Sequence, residues 1–201
     1  MMTRLLLATN NQGKLKEFLA IFKDLAIDLL IPAQLNLSLE VEESGRTYAE
    51  NAALKARAFS EASGLLTLAD DSGLEVDALG GQPGIYSARY AAKPGADDAD
   101  RRAYLLENLQ DKPRPWTARF CCVIALVQPS GEIFFAEGIC PGEIVPEERG
   151  EQGFGYDPIF LLPELGLTMA ELAVETKNRI SHRARAAQAA LPVLELLLTK
   201  P

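Results

Sequence analysis

The sequence predicts an α/β fold on a mixed β-sheet, and three observations carry that expectation. An apolar run, Arg4 to Ala8, passes through a polar loop into a helical pattern. A second helical pattern, with its own start and stop signals, leads into another apolar run at Leu65 to Ala69. Two further stretches, Thr117 to Val127 and Glu132 to Gly138, flank Pro129-Ser130-Gly131 and read as a hairpin. Helices and strands therefore intermix, and at least one strand pair is antiparallel.

Each element has a local cause. Leu15, Phe18, Leu19, Phe22 and Ala26 recur at the spacing of one helical face. Thr47 with Glu50 three residues on forms a capping box, and Gly64 supplies a stop. Tyr48, Ala52, Lys55, Phe59 and Ala62 then share one face of that helix. Gly80-Gly81-Gln82-Pro83-Gly84 is a rigid, turn-rich loop, and Asp97 to Leu109 is helical. Helix signals return at Thr168-x-x-Glu171 and at Ser181, an N-cap for the last helix, which Pro192 should kink or interrupt.

Composition excludes several classes. The 201 residues suit one domain, or two lobes sharing one core, and no linker separates independent domains. Hydrophobic residues at 48% against charged residues at 24% place the chain among globular rather than disordered proteins. Three cysteines, Cys121, Cys122 and Cys140, form no disulfide framework, and a single histidine leaves no zinc set, so they read as reduced core residues. The apolar start is too short for a signal segment, and the Leu-rich stretch from Leu191 to Leu198 is too short to span a bilayer. A cytoplasmic protein without a membrane partner is expected. The net charge of −8 argues against binding a nucleic-acid backbone. A small polyphosphate remains compatible with it, because surplus carboxylates are what a hard cation needs.

Five constellations and one isolated lysine could carry chemistry. Thr9-Asn10-Asn11-Gln12-Gly13-Lys14 stands between a strand and a helix, as an anion site or simply a polar cap. It is no Walker A loop, since Ala8 and Leu15 occupy positions that need glycine and a hydroxyl. Asp70-Asp71-Ser72-Gly73 follows a buried strand, as a metal site or an acidic turn, with successive side chains pointing to opposite sides. Glu40-Val41-Glu42-Glu43 is a solvated acidic loop or a source of a second metal-binding carboxylate. Lys55, in an apolar stripe, either snorkels to the rim or points into a polar cleft. Gly153-Phe154-Gly155-Tyr156-Asp157-Pro158 offers a stacking face and an acceptor, or is a tight turn with core aromatics. Lys177, Ser181, His182 and Arg183 come last. There, two basic side chains open a helix against its dipole, a local conflict that hints at function.

Taken together, the stretches TNNQGKLKE, EESGRTYAENAALKA, LADDSGLEVDALGGQPGIYSARY, GFGYDPIF and ISHRARA resemble the inosine/xanthosine triphosphate pyrophosphatase family, the Ham1-like non-standard purine NTP pyrophosphatases. They run in family order across nearly the whole chain. The resemblance implies one such domain over residues 1–201, with two lobes around a long twisted mixed sheet, flanking helices and an active-site cleft between lobes. It also implies a homodimer and the Mg²⁺-dependent hydrolysis of ITP, dITP and XTP to monophosphate and pyrophosphate, which cleans the nucleotide pool.

Carried onto this sequence, the resemblance makes Asp71 the catalytic base and a metal ligand, with Glu42 as the other metal-binding carboxylate. It makes Thr9, Asn11, Lys14, Lys55, Ser72 and Lys177 triphosphate and sugar contacts, with Asn10, Gln12 and Gly13 in the same substrate-binding loop. Phe154, Gly155, Tyr156 and Asp157, with His182 and Arg183, become nucleobase contacts. A 6-keto purine offers an acceptor that Arg183 or His182 can meet, whereas adenine offers a donor there. Three positions depart from family habit: Asn10 for a frequent glycine, Cys121 for a frequent histidine, and Pro192 in the last helix. The related Maf-like pyrophosphatases lack the GFGYDPIF and SHR pattern, and a silent nucleotide-binding module would typically have lost Asp71 and Glu42.

Overall fold

The computed structural model describes residues 3–91 and 93–199. Seven strands form one open sheet in the order β2-β1-β3-β4-β5-β6-β7. The strands are β1 (Thr3–Leu7), β2 (Ile27–Leu30), β3 (Leu66–Val76), β4 (Trp116–Val127), β5 (Ile133–Ile144), β6 (Phe160–Leu162) and β7 (Leu167–Thr168). β1 pairs in parallel with β2 and β3, and β6 pairs antiparallel with β5 and β7, so the sheet is mixed as expected. Among the described residues the α-helices are α1 (Gln12–Ile21), α2 (Tyr48–Ser63), α3 (Asp98–Leu109), α4 (Val174–Ile180) and α5 (His182–Thr199).

The chain divides into two compact units. The first comprises Met1–Asp71, Cys122–Gly138 and Arg183–Pro201, the second Ser72–Cys121 and Ile139–His182. In the first unit the two-residue period of the strands sorts side chains onto opposite faces. Leu5, Leu7, Leu66, Leu68, Cys122, Ile124 and Leu126 pack with Phe18 and Phe22 and with Ala186, Ala187, Ala190 and Leu194 of α5. Leu6, Ala8, Ala69, Ala125 and Val127, the alternate positions, pack with Ala52, Ala56 and Phe59 of α2. The central strands are thus covered on both faces, which is why they read as continuous apolar runs. In the second unit, Leu74, Val76, Trp116, Ala118 and Phe120 pack with Leu105 and Leu109 of α3 and with Tyr156, Ile159 and Phe160.

Several boundaries differ from expectation, each for a physical reason. Asp70-Asp71-Ser72-Gly73 is not a turn after a strand but lies inside the eleven-residue β3. Acidic residues that normally favour turns are held there by tertiary partners. α1 stops at Ile21, so Ala26 lies outside it, and Leu19 is 45% exposed on its outer side. α2 starts at Thr47, whose hydroxyl accepts from the Glu50 amide, and stops at Gly64 with φ +67°. Its buried face, however, is Asn51, Ala52, Ala56, Phe59 and Ser60, with Ala62 exposed. The hairpin closes through Gly131, whose amide donates to Gln128, but β5 continues past Gly138 to Ile144. The Thr168/Glu171 capping box begins a single 3₁₀ turn, not an α-helix. Pro192 does not interrupt α5. It sits on the exposed side, while Ala190, Leu194 and Leu197 anchor the buried side.

Candidate active site

The alternation along β3 builds the charged site of the first unit. Asp70 has the parity of Leu66 and Leu68 and faces α1 and α5; Asp71 has the parity of Ala69 and faces α2. Asp70 is 2% exposed and meets Lys14 Nζ at 2.9 Å and the Arg183 guanidinium at 3.4 Å. Arg183, itself 1% exposed, also pairs with Glu17, so an alternating chain Glu17–Arg183–Asp70–Lys14 is buried in this unit. Burial alone would raise the Asp70 pKa; Lys14, Arg183 and Lys55 more than offset it and hold the carboxyl well below its usual range. The conflict of Arg183 with the helix dipole is thereby explained by two carboxylates of the same unit.

Asp71 is 6% exposed and differently placed. Its Oδ2 accepts from Asn51 Nδ2 at 3.0 Å, and Lys55 Nζ lies 3.7 Å from Oδ1. Burial raises its pKa, and Lys55, Lys14 and the Asn51 hydrogen bond offset only part of that rise. One turn of α2 carries both partners, Asn51 and Lys55, and both reach back to the acidic loop. Lys55 donates to Glu43 at 2.5 Å, and Asn51 Oδ1 accepts from the Gly45 amide at 2.8 Å. A Cβ on Gly45 would stand 2.6 Å from Asn51 Oδ1, so only glycine permits that approach. Lys55 thus points into a polar cluster rather than snorkelling.

The loop before α1 forms as a cap. Asn11 accepts from the Lys14 amide at 3.0 Å, and its own amide donates to Thr9 Oγ1 at 3.2 Å. Asn10, Asn11 and Gln12 are exposed, while Thr9, Gly13 and Lys14 are half-buried. Glu42 is also exposed, and its neighbour Glu43 is the loop carboxylate brought to Lys55.

In the second unit the Gly153–Pro158 segment folds on itself. Asp157, 3% exposed, accepts from the Phe154 amide at 2.8 Å and pairs with the buried Lys177 at 2.6 Å. Lys177 Nζ also lies 5.2 Å from the Phe154 ring centre. Gly153, at φ +81°, has no room for a side chain: a Cβ would stand 2.1 Å from Asp157 Oδ2. Tyr156 is a core residue, 5% exposed, whose hydroxyl donates to the Ser87 carbonyl. His182 is not at the surface; it is 6% exposed and stacks on Phe120 at 4.7 Å between ring centres. Ser72 is half-buried on β3.

Sequence reasoning did not single out Asn51, Gly45, Glu17 or Phe120, and named Glu43 only as part of the acidic loop. Asn51 and Glu17 were within reach of it, because each stands one helical turn from a lysine already noted, Lys55 and Lys14. Cys121 is buried with its thiol pushed up to about 11, mainly by burial and by the charge of Glu75, which suits an inert residue.

Among the described residues no group of three or more His, Cys, Asp or Glu side chains converges as a metal cage. Asp71 and Glu43 both lie against Lys55, and Asp70 Oδ1 is a buried atom with no hydrogen-bond partner in the protein. A pair of carboxylates suits a small hard cation such as Mg²⁺, which takes one or two of them and completes its shell with water and phosphate oxygens.

Known proteins resemble this chain along its length. The Ham1 family profile matches residues 5–193. A dITP/XTP pyrophosphatase of Desulforamulus reducens is 50% identical over 195 residues, covering 96% of each chain. One from Listeria monocytogenes is 49% identical over 186 residues, covering 92% of this chain and 91% of its own. Among solved structures, the Ham1 protein of Staphylococcus aureus superposes with a TM-score of 0.85 at 42% identity, over 97% of this chain and all of that one. The HAM1 protein of Coxiella burnetii gives 0.86 at 41%, with the same coverage. With a matching profile over nearly the full chain and relatives at half identity, this chain belongs to the Ham1 family.

Proposed function

We propose that this protein hydrolyses non-standard purine nucleoside triphosphates (dITP, ITP and XTP) to the monophosphate and pyrophosphate. The observation that carries the reading is the pair of opposed aspartates on β3. One is held ionised among cations, and the other is buried, oriented by an amide and raised in pKa. A buried carboxylate whose pKa is raised above the ordinary aspartate value is a stronger base, suited to accept a proton from water.

In this reading Asp71 takes a proton from a water as its oxygen forms a bond to the α-phosphorus. The bond from that phosphorus to the α–β bridging oxygen breaks, and pyrophosphate leaves. Asn51 fixes the Asp71 carboxylate. Lys14 and Lys55, each now neutralised by carboxylates, exchange those partners for phosphate oxygens as the substrate arrives. Asp71 with a carboxylate of the acidic loop, Glu42 or its neighbour Glu43, would hold Mg²⁺, which when bound screens phosphate charge and lowers the pKa of a coordinated water. Base recognition is assigned to the Phe154 ring, Asp157 and His182, with Lys177 held beside them by its pair with Asp157. A keto-purine offers an acceptor at its 6-position where adenine offers a donor, and sites built on such a bond reject the analogue strongly. The dITP/XTP pyrophosphatase names of the relatives support the substrate class. The reading also includes a cytoplasmic homodimer that keeps damaged purines out of nucleic acid; no helix among the described residues is long and apolar enough to cross a membrane.

Pyrophosphate release from dITP, XTP, dATP and dTTP, each with Mg²⁺ and with excess EDTA, tests the proposal. Release from dITP and XTP that needs Mg²⁺ and far exceeds that from dATP and dTTP is expected. Equal rates on all four, or none, would overturn it.

A further inference from the structure

The Gly153–Pro158 segment is held by more than its own turns. Gly155, at φ +63°, has both of its backbone polar groups taken by side chains from the start of α3. Its amide donates to Asp98 Oδ2 at 2.7 Å, and its carbonyl accepts from Arg102 Nη1 at 2.8 Å. Asp98 and Arg102 stand four residues apart, one helical turn, so they reach the same peptide from one helix face. Each is itself braced. Arg102 is bidentate to Glu148, with Nε and Nη2 both at 2.9 Å, and Asp98 pairs with Arg101, whose Nη1 donates to the Ala96 carbonyl at 2.8 Å. Asp97 and Asp100 form a reciprocal capping box that fixes the first turn of α3 from which both residues project.

Neither side chain belongs to a motif that pointed to chemistry. The Gly155 peptide is half-buried, so its polar groups need partners, and two charged side chains supply both of them. We propose that Asp98 and Arg102 are positioning residues that clamp Gly155 and so preorganise Phe154 for the nucleobase. The inference rests on the proposed function for its ligand, although the clamp itself does not. A loop already held in its binding conformation loses less freedom when the ligand arrives, so the clamp acts on affinity for the base and not on the bond-breaking step.

The test uses Asp98→Ala, which removes the acceptor, and Asp98→Asn, which keeps an oxygen for the Gly155 amide. Three quantities are measured: kcat and KM on dITP, inhibition by inorganic tripolyphosphate, which has no base, and amide hydrogen exchange at Gly155. Asp98→Ala should raise KM for dITP about tenfold, the scale of one charge-assisted hydrogen bond, with kcat within about twofold of the parent. Asp98→Asn should restore most of that KM, and tripolyphosphate inhibition should stay the same in both variants. An unchanged KM in Asp98→Ala, equal damage from Asp98→Asn, or a parallel loss of tripolyphosphate binding would each overturn the proposal. Should Asp98→Ala unfold, Arg102→Met removes the other arm and must give the same split between KM and tripolyphosphate inhibition. Exchange at Gly155 separates the two readings. If the parent does not cleave dITP, the proposed function fails. Faster Gly155 exchange in Asp98→Ala would still show the clamp, and unaltered exchange would refute it.

Discussion

The cluster around Asp70 and Asp71 and the cluster around Asp157 are both buried and both contain lysine, yet they are built on opposite plans. The first gathers three cations, Lys14, Lys55 and Arg183, against four carboxylates, Glu17, Glu43, Asp70 and Asp71. The second holds one ion pair, Asp157–Lys177, beside the Phe154 ring, and a histidine stacked on Phe120. A charge-dense network has several nearly equivalent pairings, so an incoming anion and its cation can exchange with those already present. A buried ion pair beside aromatic faces is costly to break, because a buried charge then loses its counter-charge. The first plan suits polyphosphate chemistry, the second the recognition of a flat, nearly neutral ring.

This contrast is open to direct attack, beginning with the largest effect. Asp71→Asn should lower kcat on dITP by about 10²–10⁴, the range for removing a general base, while the protein stays folded because an amide is easier to bury than a raised carboxylate. Retention of more than about a tenth of parental turnover, a barrier change under ~1.4 kcal/mol, would break the assignment.

Arg183→Ala comes next, and its main effect should be on stability. Losing the cation between Glu17 and Asp70 leaves buried carboxylates undercompensated, which costs about 3–5 kcal/mol when a buried pair is broken. Urea unfolding measures it. A loss below ~1 kcal/mol would mean that the network re-pairs freely through Lys14. Phe154→Ala probes the other plan: KM for dITP should rise about tenfold, within the ~1–3 kcal/mol of a base–aromatic stack, with kcat little changed. A fall in kcat with constant KM would instead place Phe154 in the reaction step.

The smallest effect is a divergence in pH dependence between the neighbouring aspartates. Asp70 has a lowered folded pKa, so the stability it contributes is complete above its unfolded value of about 3.9 and is lost as pH falls towards the folded value. Asp71 has a raised folded pKa, so its contribution has the opposite sign. Stability is greatest when it is protonated and declines as pH rises from about 3.9 through the folded value. Chemical denaturation across acid pH should therefore show a shallower acid loss for Asp70→Asn, and no decline just above pH ~4 for Asp71→Asn. Two curves that shift in the same direction would contradict the opposed environments on β3.

Much of this was legible in the chain. The β1–loop–α1 opening, the Thr47 cap and Gly64 stop of α2, the α3 start and the Gly131 hairpin all follow from short-range chemistry, and the structure keeps them. The extension of β3 through Asp70-Asp71-Ser72-Gly73 did not, because local preference favours a turn there. The exposure of Glu42 against the engagement of Glu43, and the burial of Tyr156 and His182, depend on which way a loop or ring turns once neighbours arrive.

By itself, then, the sequence determined the kinds of element, the mixed sheet, the acidic and basic groups available and the family likeness. Those rest on patterns within a few residues and on motif order. Only the tertiary structure decided that Asp70 and Asp71 take opposite electrostatic roles. The pleat turns adjacent side chains to opposite faces, and what waits there is set by helices distant in the chain. Lys14 of α1 and Arg183 of α5 meet Asp70, whereas Asn51 and Lys55 of α2 meet Asp71. A pKa is fixed by burial and by charges within a few ångströms, and a linear sequence does not specify those distances.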